Sequence, residues 1–176
     1  MHINGIIFQE NFIEAPEKLF AHLLATVRWD ERMVARKTAS FGVAYNYSQI
    51  SYPYQAIPTV LQSIAEQIAL TVGFLPNNCL INYYADGKAK MGFHADQTDI
   101  LYENTGIVII SLGETRVLRF KNIAEPTLIH DYALPQGSLL YMSQAVQSAW
   151  LHAIPPTNTD KGRMSLTFRK IVEKAD

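Results

Sequence analysis

The side chains best equipped for chemistry in this chain are His94 and Asp96, separated by one alanine, the distant His152, and the run Arg163-Met164-Ser165-Leu166-Thr167-Phe168-Arg169. Residues two apart on an extended segment point to the same face, so His94 and Asp96 can present an imidazole and a carboxylate together. A third ligand from a distant strand closes a triangle on one side of a metal. Two histidines and one carboxylate that hold three positions and leave three open are the arrangement of non-heme Fe(II) oxygenases. Oxygen and a co-substrate both need those open positions. The spacing alone is also met by a surface His beside a solvated Asp, with His152 in the core, and by a zinc hydrolase.

The arginine run separates these readings. Arg163, Ser165, Thr167 and Arg169 share one parity, while Met164, Leu166 and Phe168 share the other. This predicts a strand with an apolar back in the core and a polar front. At strand rise the arginine Cα atoms stand roughly 20 Å apart. A short diacid reached by a long Arg side chain from each end fits that span. The planar guanidinium pairs with a carboxylate through two parallel hydrogen bonds. A hydrolase needs no such clamp, so the pattern favours iron and a diacid.

Together with Asn82-Tyr83-Tyr84, Gly137-Ser138-Leu139-Leu140-Tyr141-Met142 and Trp150-Leu151-His152-Ala153-Ile154-Pro155, these motifs resemble the AlkB family of Fe(II)- and 2-oxoglutarate-dependent dioxygenases. Residues 35–47 resemble the nucleotide-recognition lid of its duplex-repair members, and the resemblance runs from about residue 33 to 172. It implies that His94, Asp96 and His152 hold Fe(II). It implies that Arg163 pairs with the distal carboxylate of 2-oxoglutarate, that Arg169 sits near the chelating end, and that Asn82, Tyr84 and Ser165 hydrogen-bond the same co-substrate; O2 is the other.

The reaction implied is oxidative demethylation of alkylated bases in DNA or RNA, releasing formaldehyde, succinate and CO2. Tyr47 occupies the position of the lid aromatic that stacks on a base brought into the pocket, and Arg36 matches a lid arginine. Arg36, Tyr45, Tyr47, Thr98 and Asp99 are the substrate-binding candidates. Two departures stand out. Repair members carry an acid two positions after the ligand Asp; here that position is Thr98 and the acid follows at Asp99. The apolar finger that wedges into duplex in a human member falls near Arg28 or Trp29. The alternative readings are an AlkB-like oxygenase acting on a small metabolite or protein side chain, and a silent binding module on the same barrel.

The elements that must position these groups follow from periodicity. Leu19, Phe20, Leu23, Leu24 and Val27 recur at helical spacing within Ala15 to Trp29. A second helix starts at Pro58, carries Val60, Leu61, Ile64, Ile68 and Leu70, and ends at Gly73. Strand-like runs follow at 79–85, 106–112, 115–121, 125–133, 137–142, 149–154 and 163–171. The expected fold is mainly β with flanking helices: seven or eight antiparallel strands in a jelly roll. The resemblance implies the same double-stranded β-helix.

At 176 residues the chain reads as a single domain, with N-terminal helices and lid over about 1–78 and the catalytic core over about 79–172. Fifteen Lys and Arg against 16 Asp and Glu give no general attraction to phosphate, so nucleic-acid contact rests on local groups: Arg28, Arg32, Arg36 and Lys37, and Lys88 with Lys90. The single Cys79 allows no internal disulfide. No signal peptide or membrane-spanning run is evident. A cytoplasmic monomer without membrane association is the expectation.

Overall fold

The computed structural model describes residues 2–173. In chain order the elements are β1 (Ile6–Gln9), α1 (Pro16–Thr26), β2 (Lys37–Gly42), β3 (Tyr45–Tyr47), β4 (Ile50–Tyr52), α2 (Thr59–Val72), β5 (Asn78–Tyr84) and β6 (Met91–His94). They continue as β7 (Ile107–Gly113), β8 (Arg116–Asn122), β9 (Ile129–Leu134), β10 (Leu139–Met142), α3 (Gln144–Ala149), β11 (Trp150–Ile154) and β12 (Arg163–Arg169). A six-stranded sheet runs β1-β10-β7-β12-β5-β2, a four-stranded sheet runs β6-β11-β8-β9, and β3-β4 form a hairpin. All named pairings are antiparallel. This is the expected jelly roll, a sandwich of two facing sheets, with extra strands from the N-terminal part: β1 extends the large sheet beyond β10 and β2 extends it beyond β5.

The six-stranded sheet is buried on both faces, and each face has its own reason. Behind it lie the helices. Pro16 starts α1, and Leu19 and Leu23 turn inward one helical turn apart. Helix α2 buries Leu61, Ile64, Ala65 and Ile68 and stops at Gly73, whose φ of 86° suits the left-handed cap. These side chains pack on Met164, Leu166 and Phe168, the apolar back of β12. Full burial of one such side chain contributes about 1.5–3 kcal/mol. Leu70, periodic in sequence, points away and is 91 % exposed. Trp29 lies past the end of α1 and packs on Tyr83 at 5.4 Å between ring centroids. It belongs to this helix-side core and is not a free wedge.

The front face of the large sheet meets the small sheet across a second core that includes Leu80, Ile109, Leu118, Phe120, Leu140 and Ile154. The expected polar front of β12 faces this interior. Arg163, Ser165, Thr167 and Arg169 are all buried there. The chain leaves the large sheet at Gly42, where φ is +85° and an added Cβ would stand 2.1 Å from the Asn77 carbonyl oxygen. No other residue fits that position without strain. The turn breaks the aromatic alternation of residues 41–47 and leads into the β3-β4 hairpin, whose Tyr47 lines the pocket and its mouth.

Candidate metal and anion site

The strand pairing builds a compact donor set. In the β11–β6 ladder His152 lies directly opposite His94, and their rings stand 4.3 Å apart between centroids. Asp96 sits two residues beyond the end of β6. Its Oδ1 is 3.4 Å from His94 Nε2, and its Oδ2 is 3.9 Å from His152 Nε2. One ligand atom from each of the three residues lies within 4.8 Å of the others. The His94 Nδ1 is 2.9 Å from the Gly92 carbonyl oxygen. With its proton on Nδ1, His94 donates that bond and turns the Nε2 lone pair toward the cluster.

Helix α3 supplies a positioning contact that the sequence reading missed. Gln147 is buried, and its Oε1 accepts a 2.8 Å hydrogen bond from the Asp96 backbone N–H. This fixes the loop after β6 at the point where the carboxylate must turn inward. A six-residue helix with two buried positions leaves little periodicity to read.

The charges around Asp96 are balanced against burial. Burial alone would raise its carboxyl pKa, but Arg169, His94 and His152 outweigh that and hold it below the ordinary carboxylate range. Arg169 Nη2 lies 3.4 Å from Asp96 Oδ2, and its guanidinium sits 4.8 Å from the centre of the Tyr45 ring. Arg163, at the other end of β12, has no acidic partner among the described residues. It donates to Ser111 Oγ at 2.9 Å and lies over the Tyr84 ring at 5.5 Å. Burial pushes Arg163 down to about 10. In both arginines the Nε and Nη1 atoms are buried with no hydrogen-bond partner among the described residues.

Buried donors in folded proteins are almost always paired, and an unpaired charged donor costs more than the roughly 1–3 kcal/mol of a neutral one. Two such guanidinium groups on one strand face, opening into the pocket that holds His94, Asp96 and His152, fit an anion with a negative group at each end. The donor set likewise fits iron: two imidazole nitrogens and one carboxylate oxygen leave room for further ligands.

In the metal-free protein these environments give stability a pH profile. Burial pushes the His152 imidazole down to about 4, against about 6.5 in an unfolded chain. Between those values the unfolded chain binds a proton that the folded one refuses. Stability should therefore fall by about 3 kcal/mol as pH drops from about 6.5 to about 4. His94 has the opposite sign. Burial opposes its charge, but Asp96 and the Gly92 carbonyl outweigh burial and raise its pKa. Its contribution is complete below the unfolded value and is lost as pH rises through the folded one. Urea unfolding of metal-free protein across this range should show a maximum near the unfolded histidine value; a flat profile would contradict the assigned environments.

Among the co-substrate candidates, Asn82, Tyr84, Arg163, Ser165 and Arg169 all line the one pocket. Arg116, missed in the sequence, is buried behind Tyr84. Its guanidinium donates to the carbonyl oxygens of Asp86, Ala89 and Pro155 and lies 5.6 Å from the Tyr84 ring centre. Its signal was available: Arg116 shares the inward parity of Leu118 and Phe120, where an arginine must find partners.

The substrate candidates divide. Arg36 reaches across the mouth, donating to Asn82 Oδ1 at 2.9 Å, to the Lys90 carbonyl at 3.0 Å and to the Tyr47 hydroxyl. Tyr47 lines the pocket. Tyr45 is largely buried, stacked on Tyr47 at 6.3 Å and backing Arg169, yet it still contributes to the mouth wall. Thr98 and Asp99 are not in the walls of either pocket or mouth; Gln97 is the mouth residue of that loop. The chain turns back there, with Leu101 N–H bonded to the Thr98 carbonyl. The basic cluster near the lid is also partly cancelled, because Arg32 pairs with Asp30 and Lys37 with Glu31.

Residues 10–169 match the 2OG-Fe(II) oxygenase superfamily, and the chain belongs to it. Within that class it is a member of the AlkB family of Fe(II)- and 2-oxoglutarate-dependent dioxygenases. It is 30% identical over 181 residues to the DNA oxidative demethylase ALKBH2 of Homo sapiens, covering 94% of this chain and 68% of that protein. It is 27% identical over 191 residues to the alpha-ketoglutarate-dependent dioxygenase alkB homolog 3 of Rattus norvegicus, covering 96% of this chain. The chain spans 65% of that rat protein and 64% of the ALKBH2 of Bos taurus, just under two thirds of each. The solved structure of OsALKBH1 superposes with a TM-score of 0.69 over 97% of this chain and 100% of that one, at 17% identity. That likeness concerns the fold.

Proposed function

We propose that this chain oxidatively demethylates alkylated nucleobases in DNA or RNA, using Fe(II), 2-oxoglutarate and O2. The observation that carries this is the pair of buried, partly unsatisfied guanidinium groups of Arg163 and Arg169, on one strand face beside the His94–Asp96–His152 cluster. Its relatives' names add the substrate, since ALKBH2 is a DNA oxidative demethylase.

In this reading His94, Asp96 and His152 hold the iron. Arg163 and Ser165, with Asn82 and Tyr84, take one end of 2-oxoglutarate, and Arg169 steadies the end nearer the metal. Bound iron, with 2-oxoglutarate and O2, supplies oxidation of a nearby C–H bond, with CO2 and succinate as co-products. On an N-methyl group the hydroxylated product is unstable and releases formaldehyde. The chain's own residues do the placing. Arg169 keeps Asp96 ionised, Gln147 holds its backbone, and Leu80, Leu118 and Ile154 keep the inner pocket apolar. Arg36 and Tyr47 form the mouth through which the methylated base would enter.

The chain is read as one catalytic unit, monomeric and cytoplasmic. Among the described residues no helix is long and apolar enough to cross a membrane, and Cys79 is free and buried.

The test reconstitutes the protein anaerobically with Fe(II) and 2-oxoglutarate, admits oxygen, and measures formaldehyde and demethylated base from methylated oligonucleotides. Both should appear together with succinate. Succinate without any nucleotide turnover would transfer the activity to a metabolite or protein side chain.

A further inference from the structure

The mouth of the site has an unusual charge balance. Outside the metal cluster its walls include Arg36, Asn46, Tyr47, Ser48, Phe93 and Gln97. Asp96 is the one carboxylate among the described residues lining either mouth or inner pocket. That carboxylate is already engaged by Arg169, His94 and His152. Against it stand three guanidinium groups, of Arg36, Arg163 and Arg169. A ferrous ion and a 2-oxoglutarate dianion carry equal and opposite charges, so loading the site leaves the positive excess in place.

The polar groups left to read a substrate are neutral. Gln97 and Asn46 each offer an amide donor and an amide acceptor, and Tyr47 a hydroxyl. The acid of the neighbouring loop, Asp99, is exposed and stands outside these walls. Arg36 cannot withdraw cheaply, because three hydrogen bonds hold it across the opening. A cation entering here meets a like charge and, among the described residues in the walls of mouth and inner pocket, no free carboxylate, which is a repulsive element of the kind that sets specificity.

We propose that the site takes neutral methylated bases in preference to bases that methylation makes cationic. Methylation at N3 of thymine leaves the ring uncharged, whereas methylation at N3 of cytosine gives a cation. The two lesions place a methyl group at the same ring position and differ in charge. This inference rests on the demethylase reading above and assigns the substrate class within it.

The test compares two single-stranded oligonucleotides that differ only in carrying 3-methylthymine or 3-methylcytosine. With the holoenzyme, kcat/KM measured as formaldehyde release should be about tenfold higher for 3-methylthymine, from one like charge, partly screened by solvent, at the mouth. Fluorescence anisotropy with metal-free protein should show tighter binding of the 3-methylthymine strand. Gln97→Glu should shift both ratios toward 3-methylcytosine by adding the missing negative charge. Equal or better turnover and binding of 3-methylcytosine by the parent protein would overturn the inference and leave the demethylase reading standing. If neither strand is demethylated, nor bound more tightly than its unmodified counterpart, the reading and the inference fall together.

Discussion

Asp96→Ala is expected to leave a protein that cannot hold ferrous ion, makes no succinate above background, and unfolds more readily than its parent. The carboxylate has two duties. It completes the donor set with His94 and His152, and it is the charge partner of Arg169. Losing a mere outer-shell partner of a metal site costs roughly 10–100-fold in affinity, so losing a ligand should cost more than about 100-fold. Without Asp96 the guanidinium of Arg169, 2 % exposed, faces Tyr45 alone. Breaking a buried pair from one side destabilises by about 3–5 kcal/mol. Calorimetric titration with Mn(II) in place of iron, and urea unfolding of the metal-free variant, check the two duties separately. Near-parental metal affinity would mean that the cluster is not the iron site.

Arg163→Met should do the reverse to stability while damaging co-substrate binding. Arg163 is 1 % exposed, and among the described residues it has no acid beside it and two of its nitrogens have no partner. Methionine fills similar space without a charge, and such replacements are often neutral or stabilising by about 1–4 kcal/mol. The metal-free variant should therefore be at least as stable as the parent. Affinity for 2-oxoglutarate should drop by the worth of a buried charged hydrogen-bonded pair, about 2–5 kcal/mol or roughly 30- to 5,000-fold. Titrating 2-oxoglutarate into Mn(II)-loaded protein gives that number. Unchanged affinity would remove Arg163 from the anchor. A large loss of stability in the metal-free variant would make its contacts with Ser111 and the Tyr84 ring structural.

How much of this was legible depended on how strongly each residue was constrained. The inward and outward sides of strand β12 were readable, because both faces are buried against different partners and the parity of its side chains had to separate them, although the run expected to reach 171 ends at Arg169. The two long helices were readable for the same reason, although α1 stops before Trp29. Strand β6 and helix α3 were not. Four residues and six residues are too few to show a period, and what fixes them is tertiary: the ladder to β11 and the Gln147 bond to Asp96. The lid resemblance placed residues 35–47 together, and Gly42 divides that segment with a backbone turn that side-chain patterning does not express. Thr98 and Asp99 were candidates by distance along the chain from Asp96, but the turn at Leu101 leaves Gln97 at the mouth.

The two halves of the site come from different leaves of the sandwich. His94 and His152 belong to β6 and β11 of the small sheet, and Arg163 and Arg169 to β12 of the large one. Asp96 and Arg169 form a polar tie between the leaves at this point. A metal gripped by one leaf and chelated by a diacid gripped by the other would act as a rivet, and prying the leaves apart would mean breaking both grips at once. Catalytic loading and mechanical cohesion thus become one event, and amide hydrogens of β11 and β12 should slow their exchange in unison as the site fills.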